Sequence, residues 1–135
     1  MKKPCEILSH SADLKISLKA DTWEKLLEKS AQSFSFLVLD SLDFNRRPVI
    51  KEKKIKIAGE TKEERLVNFF NDIIFILDTE SLLPKSGRVK KDFFKGEFFQ
   101  VTDSDIKEQI KSATFHGLDV RIQKDQFVAK VIFDV

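Results

Sequence analysis

The chain has 135 residues, 41% of them hydrophobic and 34% charged, with a net charge of +2 from 24 basic and 22 acidic side chains. That length fits one domain spanning residues 1–135 with a real core, and the composition excludes a disordered chain. The near-balanced charge argues against stable nucleic-acid binding, although it leaves room for a local patch.

The longest apolar run, Ile73 to Leu77, is far too short to span a bilayer, so no membrane association is expected. The start, MKKPCEILSHSAD, has two lysines but no apolar segment of the kind a secretory leader needs. Cys5 is the only cysteine. It can form no internal disulfide and belongs to no Cys/His cluster for zinc, which makes a reducing cytoplasm the simplest location.

In chain order, Glu6–Ser9 and Leu14–Lys19 read as strands flanking the break His10-Ser11-Ala12-Asp13. A helix is predicted from Thr22 to Leu39, capped by Asp21 or Thr22. Trp23, Leu26, Leu27, Ala31, Phe34, Leu37 and Val38 recur at helical spacing, opposite Glu24, Lys25, Glu28 and Lys29. After a turn at Asn45–Pro48, Lys54–Ile57 alternates as a strand. A second helix starts at the capping-box pattern Thr61-Lys62-Glu63-Glu64 and runs to Asp78-Thr79-Glu80. Its wide apolar face makes it the expected more buried helix of the two.

Arg88–Phe94 and Glu97–Val101 read as a hairpin closing at Lys95-Gly96. Ile106–Ile110 is expected to be a turn leading into a strand that contains Lys111 and continues through Ala113–Gln123. Lys124-Asp125-Gln126 then turns the chain into the last strand, Phe127–Phe133. This order predicts an α+β fold, a mixed or largely antiparallel β-sheet packed with two main α-helices.

Several groups carry possible chemistry. The Asp134 side chain and the Val135 main-chain carboxylate, side by side at the end of a strand, suit a hard cation such as Ca²⁺ or Mg²⁺, or a cationic partner. A solvated strand end is the plainer reading. His10 and Asp13 share a turn, where an imidazole and a carboxylate can meet for metal binding or acid–base work, while a turn aspartate also caps backbone N–H groups. Asp78 and Glu80 close a helix against its macrodipole, which favours a nearby cation.

Thr114 and His116 share one strand face, and Lys111 has the opposite parity. No Ser, Cys or Thr stands in a recognisable nucleophile motif, and no glycine-rich phosphate loop is present. Lys51, Lys53, Lys54 and Lys56 form one basic cluster, and Arg88, Lys90, Lys91 and Lys95 another. The second is interleaved with Phe93, Phe94, Phe98 and Phe99. Such a pattern fits base stacking and equally a core strand guarded by edge lysines.

Four separated segments, in order, resemble the archease family. His10-Ser11-Ala12-Asp13 is similar to its H-T-A-D, and Leu66-Val67-Asn68-Phe69-Phe70-Asn71-Asp72 through Asp78-Thr79-Glu80 to its L-V-x-W-L-N-E-L-L-x-L-x-D-T-E helix. Lys111-Ser112-Ala113-Thr114-Phe115-His116-Gly117-Leu118 resembles its K-A-x-T-x-H-G-L, and Val131-Ile132-Phe133-Asp134-Val135 its V-I-F-D-[IV] end. Ser11 stands where threonine is usual and Phe69 where tryptophan is common, and the charge is less acidic than the family's.

The resemblance implies a single archease-like domain acting as an accessory protein and not as an enzyme. Its partner would be an RtcB-type RNA ligase, whose GTP-dependent guanylylation and multiple turnover it promotes in tRNA splicing and RNA repair. The resemblance further implies a divalent cation, Ca²⁺ foremost with Mg²⁺ or Mn²⁺ as alternatives, held by Asp13, Asp134 and the Val135 carboxylate. Lys111 carries over as a further functional residue, with His10, Asp78, Glu80, Thr114 and His116 as additional candidates. Other readings are a chaperone-like modulator of a tRNA methyltransferase, a small metal-dependent hydrolase built on Asp13, His10 and His116, and direct RNA binding through Lys90, Lys91 and the nearby phenylalanines, with a steep salt dependence.

Overall fold

The computed structural model describes residues 3–135. Met1 and Lys2, part of the N-terminal stretch read for a leader, lie outside the described residues. Strand β1 (Glu6–His10) turns into β2 (Asp13–Ala20), followed by helix α1 (Trp23–Leu39) and a short 3-10 turn at Asp43–Arg46. Then come β3 (Lys51–Lys56), helix α2 (Lys62–Glu80), the hairpin β4 (Leu82–Lys90) and β5 (Phe93–Gln100), a 3-10 turn at Asp103–Asp105, and the hairpin β6 (Ser112–Gln123) and β7 (Gln126–Asp134).

The strands form two sheets, ordered β1-β2-β7-β6 and β3-β5-β4. Every pairing is antiparallel. The fold is α+β as expected, with two separate sheets and no parallel pair among the described residues.

Both helices start where the sequence places them. Thr22 accepts a hydrogen bond from the Lys25 N–H at 3.1 Å, and Thr61 accepts one from the Glu64 N–H at 3.1 Å, each satisfying a backbone donor the helix cannot. The Glu64 carboxylate accepts from the Glu60 N–H and not from Thr61, so the reciprocal half of the capping box sits one residue early. Asp40 and Ser81 end the helices in left-handed conformations.

The more buried helix is α1, contrary to the expectation from the wide apolar face of α2. Every residue from 33 to 39 is buried. Serines make this possible by closing their hydroxyls on main-chain carbonyls: Ser30 on Leu26, Ser33 on Lys29 and Ser35 on Pro84 of β4. Periodicity missed them because serine counts as polar.

Helix α2 ties the two sheets together through adjacent phenylalanines. Phe69 meets Phe94 of β5 and Phe70 meets Phe133 of β7, both edge to face at 5.0 Å. Each fully buried ring of this kind stabilises by roughly 1.5–3 kcal/mol.

The first hairpin differs from expectation. Its turn lies at Lys91-Asp92, with Lys91 at φ 55°, and Lys95-Gly96 sits inside β5. Gly96 pairs with Gly87 across the ladder. The fully buried Phe94 ring occupies the space where a Cβ at either glycine would be. These glycines therefore serve packing and not turning. Of the four phenylalanines considered for base stacking, Phe94, Phe98 and Phe99 are buried in the core and Phe93 alone is exposed.

Strand β3 begins three residues earlier than predicted and excludes Ile57. The second hairpin turns at Lys124-Asp125, both with positive φ (51° and 62°), the geometry that matches strand twist in a two-residue loop.

Candidate functional site

Asp13 begins β2 and Asp134 ends β7, and the register sets them directly opposite each other. Side chains alternate along a strand. Leu14, Ile16 and Leu18 of β2 and Ala129, Val131 and Phe133 of β7 fill the core. Their neighbours Asp13 and Asp134 consequently point to the outer face, where both are exposed. Opposed partners of this kind have Cβ atoms about 4.5–5.5 Å apart, and two like charges there repel.

On the other side of Asp134 stands Ser112 of β6, also in direct register. Its hydroxyl donates to the Asp134 carboxylate at 3.0 Å. The row Asp13–Asp134–Ser112 thus crosses three strands of one sheet. Lys111 lies just before β6 and not within a strand, and its N–H donates to the Asp134 carbonyl at 2.8 Å. Val135 follows β7, half-buried.

Helix α2 positions this end of β6 through Asn71. Its side chain accepts from the Ala113 N–H at 2.9 Å and donates to the Ala113 carbonyl at 3.3 Å. Both main-chain groups of an edge-strand residue are thereby satisfied. Sequence reasoning missed Asn71 and Ser112 as site residues. The visible signal for Asn71 was an amide beside the apolar positions Phe70 and Ile73.

The remaining predicted residues go elsewhere. The His10 imidazole pairs with the Glu108 carboxylate, in the segment preceding β6, and not with Asp13. A cavity of about 260 Å³ beside that pair is lined by Ile7, Leu14, Phe36 and Asp40. Thr114 and His116 do not form a shared strand face. The ladder is irregular between Thr114 and Asp119, and the Thr114 hydroxyl closes on the His116 backbone instead. Gly117, at φ 71°, carries this bulge, in close approach to the Ile132 side chain.

The cation expected near the end of α2 is supplied by β3. Glu80 pairs with Lys53 at 2.6 Å and with Lys51 at 3.5 Å, and the hydrogen bond from Lys53 is the main cause holding its carboxyl below the ordinary value. Asp78 lines a separate cavity of about 140 Å³ with Ser81, Thr102 and Gln109.

Among the described residues, no group of three or more His, Cys, Asp and Glu side chains is placed to hold a metal ion. Asp13 and Asp134 are a pair, and any third oxygen ligand has to come from the main chain, a hydroxyl or water. Among the described residues no helix is long and apolar enough to cross a membrane.

The model of the Archease protein family (MTH1598/TM1083) matches residues 5–135. The archease of Pyrococcus furiosus is 26% identical, with 96% of this chain and 97% of that protein covered. That of Thermoplasma volcanium is also 26% identical, with coverage of 96% and 98%.

Among solved structures, Methanobacterium thermoautotrophicum protein 1598 aligns with a TM-score of 0.76 at 19% identity, over 99% of this chain and all (100%) of that one. A Thermotoga maritima archease, described as a possible chaperone, aligns with a TM-score of 0.64 at 24% identity, covering 100% of this chain and 98% of that one. These two likenesses concern the fold. The match of the family model along nearly the whole length makes this chain a member of the archease family.

Proposed function

We propose that this chain is an accessory protein of an RtcB-type RNA ligase, promoting its GTP-dependent guanylylation and multiple turnover in tRNA splicing and RNA repair. The observation that carries the reading is the opposition of Asp13 and Asp134 across β2 and β7. Two like charges in direct register are unfavourable without a partner, and a hard divalent cation with several oxygen ligands relieves that repulsion.

The donors are all oxygens: two carboxylates, the Ser112 hydroxyl already bonded to one of them, and the main-chain oxygens of Val135. This set suits Ca²⁺, Mg²⁺ or Mn²⁺ and not a soft metal. When bound, such a cation supplies positive charge for phosphate or nucleotide oxygens. The chain's own residues hold Asp134 in place from the β6 side, its carboxylate by the Ser112 hydroxyl and its carbonyl by the Lys111 N–H. Lys111 is exposed beside this row, where its ammonium would meet the ligase or its nucleotide. Such a factor presents charge to a partner and performs no covalent step of its own.

The test is ligation of RNA 3′-phosphate and 5′-hydroxyl ends by limiting cognate ligase, with GTP and metal. Product beyond one equivalent per ligase only in the presence of this protein supports the reading. Unchanged turnover with a verified active ligase overturns it.

The exposed Phe75 and Phe115, 66% and 57% accessible, favour a second reading, a chaperone-like modulator of a tRNA methyltransferase. That reading gains if the protein suppresses the methyltransferase's aggregation while ligation is unaffected.

A further inference from the structure

The register of the three-stranded sheet sorts the two lysine clusters in a way the sequence does not show. Side chains alternate along β3, so Lys51 and Lys53 lie on the side of the buried Ile55 and reach Glu80. Lys54 and Lys56 lie on the opposite, outer face. On β4 and β5, Arg88, Lys90, Phe93 and Lys95 face outward too, while Phe94 and Gly96 face the core.

Pairing then builds two rows across the three strands. One is Lys54–Lys95–Arg88, and the next is Lys56–Phe93–Lys90. All six side chains are exposed. Rows two residues apart on one face are separated by about 6.5–7 Å, and neighbours within a row by about 4.8 Å.

Five cations on so small a face repel one another. Glu28, Glu52 and Glu97 share a groove with Arg88 and Lys95 and offset that end of the face, while Lys56 and Lys90 at the other end lie outside it. Lys95 has one distant ion pair, with Glu52 at 3.6 Å. Lys54 sits over the Phe93 ring, 4.2 Å from its centroid. Lys56, Arg88 and Lys90 have no hydrogen-bond or ion-pair partner among the described residues. The third row, Glu52–Glu97–Ser86, is acidic, and together with Glu28, Arg88 and Lys95 it lines a groove of about 450 Å³ where the acidic and basic rows meet. On this one face charge is therefore sorted by row, two basic rows beside one acidic row.

We propose that the outer face of β3-β5-β4 binds single-stranded RNA, with phosphates along the two basic rows and a base against Phe93. Charge complementarity favours a polyanion. The ring set among the cations favours one that carries flat π-faces over an acidic peptide, because base–aromatic stacking and a positively charged track are the two components of single-strand binding. The acidic row repels phosphate and directs the strand toward the Lys91-Asp92 turn. RNA over DNA rests on the ligase reading given above. Binding of a single strand needs no ligase, so failure of the ligation test removes the preference for RNA and leaves the strand-binding test standing, and failure of the binding test leaves the ligase reading untouched.

The experiment is fluorescence anisotropy of a labelled oligouridylate with the full chain, from low to physiological salt. With three to five phosphates engaged, log K should fall with log salt at a slope of about −2 to −3.5. The double variant Lys56→Glu/Lys90→Glu should bind at least ~10-fold more weakly at low salt. Lys124→Glu/Lys130→Glu, with the same change in net charge on exposed positions outside this sheet, should stay close to the parent protein.

Phe93→Ala, which leaves the charge unchanged, should weaken binding roughly 5- to 100-fold if a base stacks there. The proposal is overturned if oligouridylate does not bind at low salt. It is also overturned if the two charge variants lose equally, or if Phe93→Ala binds as the parent does. Displacement of the RNA by oligoglutamate at equal charge concentration would assign the face to an acidic protein segment and overturn it as well.

Discussion

Asp13 and Asp134 face each other in direct register across the antiparallel pair β2–β7, although 121 positions (134 − 13) separate them in the chain. Core residues on the same strands fix which way both point, so the pair is a consequence of packing. A one-residue slip of either strand would send that strand's carboxylate inward and its flanking apolar residues out.

Like charges in register give the pair an unusual signature. Asp134→Asn should leave the thermal midpoint in chelator unchanged or slightly higher, by the few tenths of a kcal/mol that relief of repulsion gives. The same variant should weaken Ca²⁺ or Tb³⁺ binding at least ~10-fold, read by calorimetry or sensitised luminescence. A large loss of stability in chelator would show that the carboxylate serves the fold and not a cation.

Asn71 is expected to matter through geometry. Asn71→Leu removes both hydrogen bonds to Ala113, and an edge amide losing its partners should cost about 1–3 kcal/mol. Urea unfolding measures the loss. Hydrogen exchange at Ala113 should accelerate well before global unfolding, and an unchanged rate there would refute the clamp.

Gly96→Ala tests the packing of the β4–β5 hairpin. The added methyl would overlap the buried Phe94 ring, and overpacking of this kind costs about 1–3 kcal/mol. Combining it with Phe94→Leu should recover part of the loss. Differential scanning calorimetry of the single and double variants decides this, and additive losses would contradict the contact.

Asp105 gives a pH prediction with a definite sign. The Arg47 guanidinium, bonded to it at 2.8 and 3.2 Å, is the largest influence holding its carboxyl far below the usual range, followed by the Thr102 N–H. A folded-state value depressed below the unfolded value of about 3.9 means the contribution is complete above that pH. It is lost as pH falls through the folded value. The stability gap between parent and Asp105→Asn, on the order of 1 kcal/mol for a partly exposed charged pair and cap, should therefore be full at neutral pH and shrink only below about pH 4. A gap that grows on acidification would reverse the assignment.

Periodicity, cap residues and turn chemistry are local properties, and the sequence alone determined what depends on them. Helix starts at Thr22 and Thr61, the Lys124-Asp125 turn, the α+β class and the four family segments were all legible. Local signals failed where a distant partner decided the outcome. Gly96 read as a turn because only its pairing with Gly87 across the ladder shows that the Phe94 ring covers both glycines, and Ser35 read as polar because its carbonyl partner, Pro84, lies 49 positions away.

The same limit governs the functional surfaces. Composition gave a net charge of +2, but only strand register divided Lys51 and Lys53 from Lys54 and Lys56 and aligned the latter with Arg88, Lys90 and Lys95. Sequence named Asp13 and Asp134 as candidates. Tertiary structure alone set them opposite each other, sent His10 to Glu108 and Glu80 to Lys53, and brought Ser112 to Asp134. Strand pairing is nonlocal, and which side chains share a face follows from register and the hydrophobic core that enforces it.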